Sequence, residues 1–179
     1  ARTWSSNDDV RALAEAKRRP LDPALARAMT AYHQRLGAGP ASLANLDRLA
    51  RGEAVAAVAG QQPAPLGGPL YSLHKTASTV GLARTITARA GVAAVPLFWM
   101  HGEDSDFAEI RHASVADATL AVHDFALPDD AHATGGLVGD VALAPLAALS
   151  AEALARGAGL PAHADAAALL ERAHRDARD

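Results

Sequence analysis

The sequence predicts an α/β fold built on a parallel sheet. Two observations carry that prediction. Two short apolar runs, VAAVA at 55–59 and VAAVPLFW at 92–99, read as buried strands. Between them lie a loop rich in Gly and Pro and one long helical stretch, with Val92 coming 32 positions after Gly60. Strand, loop, helix and strand in that order make a βαβ crossover, which implies parallel strands and a right-handed connection. Helical segments flank this core on both sides.

The elements follow in chain order. Asp8 to Arg19 reads as a helix with an Asp cap and with Val10, Leu13 and Ala14 at helical spacing. Pro20 ends it. Asp22 caps a second helix with Pro23 at its first position, running to about Leu36 and stopping at GAGP. Ser42 to Arg51 forms a third, closed by Gly52. After the first strand, GQQPAPLGG spans Gly60 to Gly68, and Pro69 opens a helix that ends at Gly91. In the second strand Pro96 removes a ladder donor, so a bulge or an early strand end is expected there. The polar stretch from Met100 to His112 precedes strands at Ser114–Val115 and Thr119–Phe125. A loop of Pro, Asp, Gly and His leads to the apolar segment 138–143. The tail is helical over about Pro145–Arg156 and Ala164–Arg178. The expected organisation is a helical segment over 1–53, a sheet-bearing core over 54–144 and a helical extension over 145–179.

Composition narrows the function. Lys plus Arg is 17 and Asp plus Glu is 20, for a net charge of -3, so no basic surplus points to nucleic acid. The chain has no cysteine, which excludes disulfides, thiolate metal sites and an acyl thioester carried on this chain. The 50% hydrophobic fraction includes 46 alanines, each burying little area. Only two of the 17 basic residues are lysines, Lys17 and Lys75. No apolar leader opens the sequence, and the run ending at Met100 is too short to span a bilayer. A soluble, cytoplasmic protein without a membrane partner is expected.

Two segments carry chemistry. The first is GQQPAPLGGPLYSLHKT, at the carboxyl end of the first strand, where open α/β sheets bind ligands. Gly60, Gly67 and Gly68 permit close approach of the backbone. The helix start offers N–H groups and positive potential to phosphate or carboxylate. Tyr71, His74, Lys75 and Ser78 share one helical stripe, while Leu70, Leu73, Ala77 and Val80 share another. The apolar stripe is expected to pack on the sheet and the polar one to face a cleft. An ordinary solvated face is the competing reading. The P-loop pattern fails because His74 precedes Lys75, and G-x-G-x-x-G is absent.

The second segment is WMHGEDSDFAEIRH, Trp99 to His112, which follows the second strand to the same sheet edge. His101, Glu103, Asp104, Asp106, Glu109 and His112 crowd it. No metal-binding spacing appears, so no resident metal is assigned; the acids serve substrate or nucleotide binding, or cap the short helix that follows. His33, His123, His132, His163 and His174 read as structural or solvated.

Together, VAAVAGQQPAPLGGPLYSLHKTASTVGLA and GVAAVPLFWMHGEDSDFAEIRH resemble, across about sixty residues, the N-terminal region of the cysteine-ligase family of bacillithiol biosynthesis. That family shows GQQ, then GPLYT-I/L-HK, then V-P-V-F-W leading to EDHD and a closing N-H. The resemblance implies an enzyme that adds cysteine to glucosaminyl-malate through an amide bond. It implies a Rossmann-like fold of the class I nucleotidyltransferase type, with ATP as co-substrate and Mg²⁺ possible. Gly68, Pro69, Tyr71, His74 and Lys75 would line the cleft, with Gln61 and Gln62 in the loop and Trp99, Glu103, Asp104 and Asp106 facing it. His74, Lys75, Asp104 and Asp106 would carry the catalysis, beside Gly60 and Gly67 as binding positions. Members are much longer and continue into a coiled coil, so a homodimer is expected of the full-length protein. Three departures stand out: Ser105 replaces the His of EDHD, Arg111 replaces the Asn before His112, and Ala64-Pro65 replaces Gly-Leu. Two other readings remain open, a non-catalytic anion- or nucleotide-binding module and a small nucleotidyltransferase acting on another carboxylate.

Overall fold

The computed structural model describes residues 6–133 and 135–176. Contacts gather the chain into two compact units that do not follow chain order. The first holds the described residues through Ala59 together with His74–Trp99, and the second holds Gly60–Leu73 and the residues from Met100 on.

The first unit begins with three helices. In α1 (Asn7–Lys17) the cap is Ser6 rather than Asp8, its hydroxyl accepting from the Asp9 N–H at 3.1 Å. The expected end at Arg19 is also early, at Lys17, because Arg19 precedes Pro20 and a residue before proline avoids the helical region. α2 (Pro23–Arg35) is capped as expected, with Asp22 accepting from the N–H groups of Ala24 and Leu25 at 2.8 and 3.1 Å. α3 (Pro40–Ala50) starts two residues before the expected Ser42, since Pro40 suits the first helical position. Gly52 closes it at φ +69, where a Cβ would meet the Pro20 nitrogen at 2.6 Å, so only glycine fits.

The strands β1 (Val55–Gln61) and β2 (Ala94–Met100) form a two-stranded ladder. The Val55 N–H donates to the Ala93 carbonyl at 3.0 Å, and the His101 N–H donates to the Gln61 carbonyl at 3.1 Å. Both chains advance together between these bonds, so the pair is parallel. β2 runs unbroken through Pro96, against the expected bulge. The reason is positional: residues 93 and 101 turn their polar groups toward β1, so by alternation Pro96 turns its missing donor away.

Helices cover both faces of this ladder within the unit. On one face Ala57 packs with Ala83, Ile86 and Ala90 of α4 (Leu70–Ala90), joined by Val10 and Ala94. On the other, Val95 and Ala54 pack with Leu49, Leu21 and Ala93. The expected apolar stripe of α4 is corrected here. Leu70 and Leu73 are 67% and 62% exposed, while Thr79, Ala83, Ile86 and Ala90 are buried. Small side chains let the helix approach closely, and Thr79 meets its polar requirement by donating to the Lys75 carbonyl at 2.7 Å.

The second unit centres on Leu127, fully buried among Phe125, Ala131, Leu149 and Ala153, with Leu66, Phe107 and Val115 against them. These come from a 3-10 turn at Pro65–Gly67, α5 (Phe107–Ile110), the hairpin of β3 (His112–Ala116) and β4 (Val122–Ala126), and α6 (Leu143–Arg156). The hairpin is antiparallel, with Val115 opposite His123. Val138–Asp140 forms a 3-10 turn, and α7 runs over His163–Asp176. The expected end of the tail helix at Arg178 lies outside the described residues. Among the described residues the α/β class thus holds, with one parallel pair and one antiparallel hairpin.

β4 begins at Val122 instead of Thr119 because Asp117 takes the preceding residues into a turn. Its carboxylate accepts from the Thr119 N–H at 2.8 Å, the Thr119 hydroxyl at 2.6 Å, the Ala121 N–H at 3.1 Å and His123 Nε2 at 2.8 Å. His123 above all, then Thr119, holds this carboxyl far below the usual carboxylate range. The ionised form therefore stabilises the hairpin above the unfolded value of about 4, and the contribution is lost as pH falls through the lower folded value. Asp117→Asn is expected to lower the melting midpoint at neutral pH and to flatten its decline in acid, read by thermal melts from about pH 7 down to about pH 2.

Candidate functional site

The loop after β1 and the segment after β2 meet in the second unit. Gln62 is the link, donating through Nε2 to Asp104 at 3.1 Å and to Glu109 at 2.9 Å. Its own carbonyl accepts from Gln61 Nε2 at 2.6 Å. One neutral amide thus spans two carboxylates that stand 42 and 47 positions away in the chain.

The acidic loop is braced by its backbone. The Val138 N–H donates to the Asp104 carbonyl at 2.7 Å, and the Gly139 N–H donates to the Gly102 carbonyl at 2.9 Å. Asp104 Oδ1 accepts from the Asp106 N–H at 2.9 Å. That bond first, then Gln62, the Ser105 N–H and His101, lowers the Asp104 carboxyl below its ordinary value. It therefore stays ionised as the medium acidifies. Asp106 caps α5, its carboxylate accepting from the Glu109 N–H at 3.1 Å. Glu103 lies beside His101, with 3.6 Å between Oε1 and Nδ1.

The other candidates lie on β1, in the loop that follows it, on α4 and at the end of β2. Gly60 and Gln61 are the last residues of β1, which runs two positions past its expected end. Gly67 and Gly68 carry φ of +87 and +84. Gly68 combines that φ with ψ -179, a conformation open essentially to glycine alone, and the chain turns there into the helix. Pro69 and Tyr71 are exposed, Tyr71 at 60%. His74 and Lys75 belong to the first unit, His74 exposed and Lys75 half-buried, as does Trp99, 52% exposed at the end of β2. Among the described residues no three His, Asp or Glu side chains converge as a metal would need.

Two contributors are not separable from their neighbours in the sequence. Glu109 is one acid among several in its stretch, and only the fold selects it as the partner of Gln62. The bracing turn at 138–139 carries no polar signal. Its one clue is Gly139, where a Cβ would stand 3.0 Å from the Gly102 carbonyl oxygen.

Arg111 is structural. Nε and Nη2 donate to the Leu127 carbonyl at 3.1 and 2.6 Å, and Nη1 pairs with exposed Asp129. The guanidinium lies 5.6 Å from the centre of the Phe107 ring, which stacks on His132 at 4.9 Å. Arg111→Ala removes a charged donor pair from a buried carbonyl and is expected to cost about 1–3 kcal/mol in urea unfolding. The Asp129 contact contributes little of this, being a surface pair.

A family model described as Bacillithiol biosynthesis BshC, N-terminal Rossmann-like domain, matches residues 3–177. A candidate cysteine ligase BshC of Geobacillus sp. (strain WCH70) is 38% identical over 114 residues, which is 64% of this chain and 20% of that protein. The protein of the same name from Koribacter versatilis (strain Ellin345) is 40% identical over 121 residues, 68% of this chain and 22% of its own length. That from Symbiobacterium thermophilum is 47% identical over 92 residues, 51% of this chain and 16% of its own length. The chain therefore spans about a fifth of the length of the curated relatives it matches.

Proposed function

The chain belongs to the BshC family through its N-terminal Rossmann-like domain, and from that premise we propose that it forms the N-terminal part of a ligase joining cysteine to glucosaminyl-malate. The observation that supports this best is the Gln62 bridge, which joins the GQQ loop to the EDSD segment, the two motifs of the resemblance.

Amide formation requires an activated carboxylate. In this reading ATP is the co-substrate, and the acid is activated as an acyl adenylate or acyl phosphate, in the manner of class I nucleotidyltransferases. Negative charge then builds on phosphate oxygens. His74, Lys75 and the N-terminus of α4 stabilise that charge. Gly67 and Gly68 leave backbone without side chains beside it, Tyr71 and Trp99 supply ring faces, and Gln61 and Gln62 orient the polar ends of the substrate. Asp104 and Asp106 hold the cysteine ammonium, assisted by Glu103. An ammonium competes well for the place now taken by the Gln62 amide, since charge-assisted hydrogen bonds are the stronger ones. A divalent cation would arrive on the nucleotide phosphates, with Asp104 as a partial ligand.

The cysteine carboxylate is the acid activated, and the neutral amine nitrogen of the glucosamine unit attacks its carbonyl carbon. The new C–N bond replaces the C–O bond to AMP or phosphate, which departs with its electron pair, and the amine loses a proton. No helix among the described residues is long and apolar enough to cross a membrane.

The test is product formation by a full-length relative given cysteine, glucosaminyl-malate and ATP, read by mass spectrometry. Bacillithiol formed only with all three supports the ligase. Nucleotide binding without turnover supports a non-catalytic module, and AMP transfer to a different acid supports a nucleotidyltransferase.

A further inference from the structure

The acids of the segment after β2 differ in what they already hold. Asp104 has both carboxylate oxygens engaged, Oδ1 by the Asp106 N–H and Oδ2 by the Gln62 amide. Asp106 caps α5, and Glu103 lies beside His101. Glu109 meets a single side-chain donor. Its Oε2 accepts from Gln62 Nε2 at 2.9 Å, and its Oε1 has no partner among the described residues. The backbone of Glu109 is fixed all the same, since α5 seats it between Phe107, packed against the Leu127 cluster, and buried Ile110. Its side chain stands at the surface.

That side chain is also aimed. Gln62 Oε1 accepts from Gln61 Nε2, which turns the Gln62 NH2 group toward the acids, and the NH2 group holds Glu109 Oε2. Gln61, Gln62 and Glu109 form a chain in which each group orients the next, the arrangement by which a proton acceptor is held in place. The same NH2 group reaches Asp104, so the two carboxylates stand within two hydrogen bonds of each other. Amide formation needs an acceptor of this kind. An amine nitrogen becomes cationic as it attacks, and it must lose a proton before the amide is complete. The acids that hold the cysteine ammonium have their oxygens taken by it. We infer that Glu109 is a further catalytic residue, the proton acceptor for the attacking amine of the glucosamine unit, an inference that rests on the ligase reading above. As the C–N bond forms, Oε1 takes the proton from nitrogen, and the C–O bond to AMP or phosphate breaks with its electron pair. Glu109 then passes the proton to water.

Hydroxylamine separates this role from activation of the acid, because it is neutral at physiological pH and attacks an activated carboxylate without a base. In a full-length relative, Glu109→Gln at the aligned position keeps an oxygen for Gln62 to donate to but cannot accept the proton. Given ATP, cysteine and hydroxylamine, this variant should form cysteine hydroxamate at close to the parent rate. With glucosaminyl-malate in place of hydroxylamine, kcat for the amide should fall about 10²–10⁴-fold, with KM for glucosaminyl-malate little changed. Glu109→Asp, which keeps a carboxylate on a shorter arm, should recover part of that loss. Amide formation by Glu109→Gln at close to the parent rate overturns the inference. Equal loss of hydroxamate and amide also overturns it, since a merely structural role would remove both. A parent enzyme that forms neither product refutes the ligase reading itself, and this inference with it.

Discussion

Replacing both His74 and Lys75 by Ala, at the aligned positions of a full-length relative, should slow amide formation by about 10²–10³-fold or more. The argument starts from the chemistry. Activating a carboxylate with a nucleotide moves negative charge onto phosphate oxygens, and a cation placed there acts only as that charge develops. The loss should therefore fall on kcat, with KM for cysteine little changed. A loss confined to KM would assign the pair to ground-state binding. Lys75→Arg refines the test. Arginine keeps the charge but spreads it over a planar fork, so it should restore nucleotide binding more fully than turnover. In a chain with 15 arginines and two lysines, this position holds the compact ammonium, and it holds it at the start of α4.

Leu127→Ala should be the most damaging single substitution for stability. Leu127 has no exposed surface and sits among Phe125, Ala131, Leu149 and Ala153. Truncation removes buried methyl groups and leaves a cavity that the neighbours close only in part, at a cost of about 2–5 kcal/mol. Against a typical total of about 5–15 kcal/mol, that is a large share. The backbone of Leu127 sharpens the effect, since its N–H donates to the Arg111 carbonyl at 2.9 Å while its carbonyl takes the Arg111 guanidinium. Urea unfolding should show a lower midpoint with an unchanged slope. Leu169→Ala, at a residue 57% exposed on α7, should change stability by less than about 0.5 kcal/mol.

Much of the fold was legible where local chemistry decides it. Asp22-Pro23 marks the start of α2, and Gly91 follows the last residue of α4. Reading failed where tertiary context outweighs local pattern. Pro96 looks like a strand breaker until the pairing side is known. Leu70 and Leu73 look like core, yet the helix buries its alanines, because Ala57 on β1 allows a close approach. α1 starts at Asn7 with Ser6 as its cap, and Asp8, a residue type that caps equally well, lies inside the first turn. The candidate site was legible as two motifs but not as a bridge. Nothing local pairs Gln62 with Asp104 and Glu109 across more than forty positions. Arg111 reads as a departure from the family pattern, and its hydrogen bonds to Leu127 show what occupies it instead.

The central claim is that this domain serves amide formation through an activated carboxylate. Oxygen-18 transfer tests it most directly. Cysteine labelled in its carboxylate is incubated with ATP, glucosaminyl-malate and a full-length relative. The account predicts one labelled oxygen in AMP or in inorganic phosphate for each amide formed, and loss of both signals together in the His74, Lys75 double variant. Amide formed with unlabelled nucleotide products, or nucleotide bound with no amide at all, would contradict it.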